Sequence, residues 1–146
     1  GPGHWSAEPT TGPELVARAH LLLCQGKPAE AREDFAAAIA AAPEDHACLN
    51  EISWVLATHP NPEARDGPVA VRLATKACEL TNWDSEPELD TLAAAYAECG
   101  EFDRAIELQQ SALDRAPTEA LLEEEARLKQ YQAGEAFRDP SLADEA

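Results

Sequence analysis

His20 and Cys24 stand four positions apart, and His46 and Cys48 follow with one residue between them. Imidazole and thiolate are the ligands a zinc ion prefers, and a four-residue spacing places His20 and Cys24 on one helix face. Zinc motifs normally use tighter ligand spacing, and the remaining cysteines, Cys78 and Cys99, form no two-residue knuckle. The four cysteines therefore read as small free thiols inside helix packing. No glycine-rich phosphate loop and no nucleophile elbow occurs. The 28 acidic residues fall mostly on exposed helix faces, so the sequence singles out no carboxylate pair for acid–base work. We expect no catalytic residue, no metal site and no cofactor, and read the chain as non-enzymatic.

The elements that carry these side chains repeat. One copy of a sparse pattern reads Leu89-x-x-Leu92-Ala93-x-x-Tyr96, then Ala105, then Pro117. An earlier copy reads Leu15-x-x-Arg18-Ala19-x-x-Leu22, then Ala31-x-x-x-Phe35, then Pro43. Between them lies Leu49-x-x-Ile52-Ser53-x-x-Leu56, with Ala70-x-x-x-Ala74 and with Asn82 in the proline position. Small residues at Ala19, Ser53 and Ala93, and at Ala31, Ala70 and Ala105, let paired helices approach closely. Leu22, Phe35, Leu56 and Tyr96 then fill the space between pairs. Leu15 to Leu49 is 34 positions, the period of the tetratricopeptide repeat.

From about Thr11 to Arg138 the chain thus resembles the tetratricopeptide family. The segments Ile52–Pro68, Ala74–Trp83, Leu89–Glu98 and Gln109–Leu113 are similar to a bacterial variant, planctomycete-like, found near the C-terminal ends of larger proteins. The resemblance implies an all-α, right-handed α-solenoid of three helix pairs plus a C-terminal capping helix, with a concave face that binds other proteins. It implies repeats at about 12–44, 45–84 and 86–117 and a capping helix at 118–133, all within a domain spanning 11–134. Gln109 replaces the usual bulky residue of its helix, so loose packing is expected there.

Helix ends are read from capping chemistry. Thr11 with Glu14, and Ser85 with Glu88, have capping-box spacing, each with a proline in the first turn. Gly26 and Gly100 suit left-handed C-terminal positions. Asp66-Gly67-Pro68 starts another helix, and Thr118 caps the last. The predicted helices are 13–25, 28–41, 46–57, 67–80, 86–99, 102–115 and 118–133. The middle repeat carries five extra residues, since Leu49 to Ala70 is 21 positions against 16 for Leu15 to Ala31. They fall in the proline-rich stretch 58–68, expected to project from the edge as a solvated connector. Trp83, beyond a helix end, is expected to pack.

In the family's arrangement the first helix of each pair lines the groove. Helical spacing then selects Val16, His20 and Leu23, next Asn50, Trp54 and Thr58, next Asp90, Ala94 and Glu98 as partner-binding residues. Trp54 is the natural anchor, because aromatic side chains carry much interface energy. The cationic side chains with which some tetratricopeptide domains hold a chaperone's C-terminal carboxylate are missing from these positions.

The formal net charge is −17, from 28 acidic and 11 basic residues. Nucleic-acid backbones require a cationic face, so no nucleic-acid partner is expected. Anionic membrane surfaces are disfavoured likewise, and no transmembrane stretch is present. The expected partner is a protein or peptide, basic or aromatic; the alternative is self-association as a homodimer. The chain lacks methionine and opens Gly1-Pro2-Gly3-His4, which reads as an expression remnant within a lead at 1–10. A fragment of a larger, cytoplasmic protein is expected, ending in a flexible acidic tail at 135–146.

Overall fold

A computed structural model describes residues 8–143. The remnant read at Gly1–His4 and the acidic end Asp144–Ala146 lie outside them. Among the described residues the chain is all-helical, with seven α-helices and no strand. They are α1 (Gly12–Cys24), α2 (Pro28–Ala41), α3 (His46–Thr58), α4 (Gly67–Leu80), α5 (Glu86–Glu98), α6 (Phe102–Arg115) and α7 (Leu121–Gln132).

Local chemistry accounts for most boundaries. At α1, Thr11 Oγ1 accepts from the Glu14 amide at 3.2 Å and the Glu14 carboxylate accepts from the Thr11 amide at 3.2 Å. The Asp66 carboxylate accepts from the Val69 amide at the start of α4. Gly26 and Gly100 take φ of 74° and 79°, a region costly for any residue with a Cβ. Two expected caps differ. The Ser85 hydroxyl turns to the Glu88 carboxylate instead of a backbone amide. Thr118 begins a short 3₁₀ turn, Thr118–Ala120, that precedes α7.

The helices pack as hairpins, α1 on α2, α3 on α4 and α5 on α6, with α7 against α6. Where they approach, Ala19, Ala31, Ser53, Ala70, Ala93 and Ala105 are completely buried. Ser53 fixes its hairpin, because its hydroxyl donates to the Ala70 carbonyl at 2.7 Å. Arg18 closes the first hairpin with two hydrogen bonds to Asp34, at 2.8 and 2.9 Å. Leu49, Ile52, Val55 and Leu56 form the centre of the apolar core. Burying each such side chain contributes about 1.5–3 kcal/mol.

Three packing expectations are corrected. Gln109 is fully buried, its Nε2 donating to the Glu124 carbonyl at 3.2 Å. Trp83 does not pack; it is 42% exposed. Asn82 and Trp83 both have φ of 57°, and this turn swings the ring outward while the Trp83 amide bonds the Cys78 carbonyl. The stretch 58–68 does not project either. His59 and Ala64 are buried, and Arg65 donates to the carbonyls of His59 and Pro60 and to Glu98. An internal cation thus satisfies the polar backbone that an insertion would otherwise leave to water.

Candidate functional site

Helices α1, α3 and α5 present one continuous face. His20 from α1, Asn50, Glu51 and Trp54 from α3, and Glu86, Glu88, Asp90 and Thr91 from α5 line a hollow of about 630 Å³ on it. Beyond Trp54 a second hollow of about 600 Å³ is bounded by Arg127 and Gln130 of α7 and by Phe137, Asp139 and Ser141. Trp54 belongs to both.

The nine residues selected from the sequence divide into groups. His20, Asn50, Trp54 and Asp90 meet around the first hollow. Val16, Leu23 and Ala94 are buried in the apolar core and offer nothing to a ligand. Thr58 is buried with its hydroxyl donating to the Trp54 carbonyl, yet its own carbonyl faces the site. Glu98 holds two arginines, Arg65 at 3.0 Å and Arg138 at 2.7 Å.

The residues that organise this face come mostly from the far end of the chain. The expectation of a fraying tail from residue 135 does not describe residues 136–142, which fold back across α3. The Phe137 ring lies 5.8 Å from Trp54 at a 43° tilt. The Arg127 guanidinium stands 5.6 Å from the Trp54 centroid and 5.1 Å from that of Phe137. Cation–π attraction of this kind contributes about 0.5–2 kcal/mol. The Asp139 carboxylate accepts from Trp54 Nε1 at 2.7 Å, and the Asp139 amide donates to the Thr58 carbonyl at 2.9 Å. Leu142 packs against the core and reaches the first hollow.

Electrostatics reinforce the arrangement. Arg127 donates to both oxygens of Asp90, at 3.1 and 3.0 Å. Burial still pushes the Asp90 carboxyl above the ordinary carboxylate range, with Arg127 opposing. For Asp139, burial pushes upward, but hydrogen bonds from Trp54 and Ser141 and the field of Arg127 outweigh it and lower the pKa. In the open hollow, His20 Nε2 meets Glu51 at 2.9 Å and His46 Nδ1 meets Glu88 at 2.8 Å.

Glu86, Asp90 and Glu124 bring carboxylate oxygens within 4.8 Å of one another, a spacing that could hold a hard cation. Arg127 already supplies positive charge to both Asp90 oxygens. The histidines and cysteines singled out from the sequence go elsewhere. Cys24 is exposed, Cys48 is buried, and His20 and His46 engage glutamates. Burial raises the Cys48 thiol pKa, with Asp45 and Glu51 adding to it, and raises the Cys78 thiol to about 12, aided by Glu88 and Glu79. Neither is a ready thiolate.

Periodicity could not reveal Arg127, Phe137 or Asp139, because each acts on a helix far away in sequence. One signal was present: a phenylalanine and a proline stand among charged residues at 135–140, unusual for a solvated tail. No family model matches this chain, and no curated protein matches it. No helix among the described residues is long and apolar enough to cross a membrane.

Proposed function

We propose that this chain is a non-catalytic protein-interaction module, a tetratricopeptide-like solenoid of three hairpins closed by α7, that binds an extended segment on the face of α1, α3 and α5. One observation carries the reading: a stretch of polypeptide already lies along this face, met through both main chain and side chains. The Thr58 carbonyl takes its amide, Trp54 takes its ring and its carboxylate, and Glu98 takes its arginine. The 34-position spacing of Leu15 and Leu49 and the complete burial of the small residues at each hairpin support the repeat architecture.

Displayed random peptides selected on the full chain, followed by hydrogen-exchange footprinting, test the proposal. A selected peptide should protect α3 and α5, and Glu51→Gln with Asn50→Ala should weaken it at least about fivefold. Peptides that consistently protect other surfaces, or none retained at all, would overturn the assignment.

A further inference from the structure

The way residues 137–142 sit defines what the face reads. Three consecutive residues are each met by a different group: Phe137 by Trp54 and Arg127, Arg138 by Glu98, and Asp139 by Trp54 Nε1 and the Thr58 carbonyl. Leu142 then lines the open hollow. There the charge balance changes. Glu51 and Glu86 are the accessible acids that line the space, with His20 beside Glu51, while Glu88 is buried and takes His46 and the Ser85 hydroxyl. Asp90 differs, because Arg127 neutralises it. Within residues 137–142 the one cation, Arg138, is already engaged by Glu98. Residues 137–142 therefore match the first half of the site and bring no cation to the second.

We propose that the partner is an extended segment with an aromatic ring, a carboxylate two positions later and lysines or arginines C-terminal to them, and that residues 137–142 hold its place in cis. This rests on the reading of the face as a peptide groove. A tethered segment acts at millimolar effective concentration, so a free competitor must gain something the tail lacks. Cations placed over the accessible Glu51 and Glu86 supply that gain. Each adds roughly twofold to fivefold in affinity at low salt, and screening removes it at high salt.

The test uses labelled peptides on the full chain, read by fluorescence anisotropy at low and high salt. One peptide copies residues 135–143 and continues with three lysines; a second continues with the native Asp-Glu-Ala; a third is the lysine form without the phenyl ring. Each is titrated into the unaltered chain and into a Phe137→Ala, Asp139→Ala chain, with circular dichroism confirming that both are folded. The lysine peptide is expected to bind the altered chain at least about tenfold tighter than the unaltered one. It should also exceed the native-ended peptide by about tenfold at low salt, and lose most of its affinity without the ring.

Equal affinity of the lysine and native endings would overturn the basic extension. Equal affinity for both proteins would overturn cis occupancy, as would a dimer, by light scattering, that dissociates when Phe137 is removed. If these peptides fail while a displayed peptide protects α3 and α5, the inference fails and the interaction module stands. If both experiments fail, the module reading falls too.

Discussion

The two ends of the α1–α3–α5 face obey different charge rules. Around Trp54 two acids have arginines, Asp90 with Arg127 and Glu98 with Arg65 and Arg138, and Asp139 is held by the Trp54 indole. This end is covered, and its carboxylates sit among aromatic rings. Around His20 the acids are met by imidazoles and a hydroxyl instead: Glu51 by His20, and Glu88 by His46 and the Ser85 hydroxyl. That end is open. Residues 136–142 therefore rest where arginines offset the acids, beside an end where acid is in surplus. The contrast separates what holds the fold from what remains available to a second molecule, and each half can be attacked independently.

The largest effect should come from Arg127. Replacing it with alanine strands Asp90 as a buried charge and removes the cation from both rings. Losing one partner of a buried pair costs about 3–5 kcal/mol, which for a chain of this size lowers Tm by roughly 10 °C. A thermal scan showing little change would mean that Asp90 finds another partner or takes up a proton. Phe137→Ala should cost less, about 1–2 kcal/mol, because the ring is only half-buried between Trp54, Arg127 and the apolar cluster around Tyr131, and its loss strands no charge. Its distinctive signature is local: hydrogen exchange at residues 136–142 should accelerate while α1 and α2 stay protected.

What the sequence made legible follows from range. Caps at Thr11 and Asp66 act across three residues, and the ends of α2, α4 and α6 agree with those expected. Ala19, Ser53 and Ala93 were readable because close helix approach demands small side chains at regular spacing. Four of the nine candidate site residues, His20, Asn50, Trp54 and Asp90, meet as helical spacing implied. Val16, Leu23 and Ala94 went to the core because one apolar stripe serves both packing and groove. The tail was illegible for a different reason. Trp54 and Asp139 are separated by 85 positions and Asp90 and Arg127 by 37, so no local pattern records either pair. Trp83 failed through backbone: two successive residues at φ of 57° cannot be foreseen from an Asn-Trp pair, since only asparagine favours that region.

Acidity should act on the two buried ends of the tail's environment with opposite sign. Asp139 has a lowered pKa, so its contribution is present above the unfolded value and is lost as pH falls through the folded one. Glu124 has a pKa raised by burial, with Arg127 opposing, so its contribution is present below the unfolded value and is lost as pH rises through the folded one. Acidification below the ordinary carboxylate range should therefore loosen residues 136–142 while relieving α7. Asp139→Asn should reproduce the first effect at neutral pH, costing about 1 kcal/mol through the weakened bond from Trp54. Hydrogen exchange at both pH values checks this, and simultaneous loosening of α7 and the tail would show that the two do not titrate separately.

The smallest stability change should come from the open end, where Glu51→Gln removes an exposed partner of His20. Such surface pairs contribute about 0–1 kcal/mol, and losing one acid also relieves repulsion in a chain with a net charge of −17. Tm should stay within about 2 °C of the parent, in contrast to the Arg127 variant. The same substitution removes one of the two accessible carboxylates, Glu51 and Glu86, that would face a basic partner, so it should weaken a lysine-bearing peptide severalfold at low salt and hardly at all at high salt. A substitution nearly silent in stability but visible in salt-dependent binding distinguishes an interaction surface from a structural one. If Glu51→Gln instead destabilises the chain as Arg127→Ala does, the acids around His20 belong to the fold, and the division between the two ends disappears.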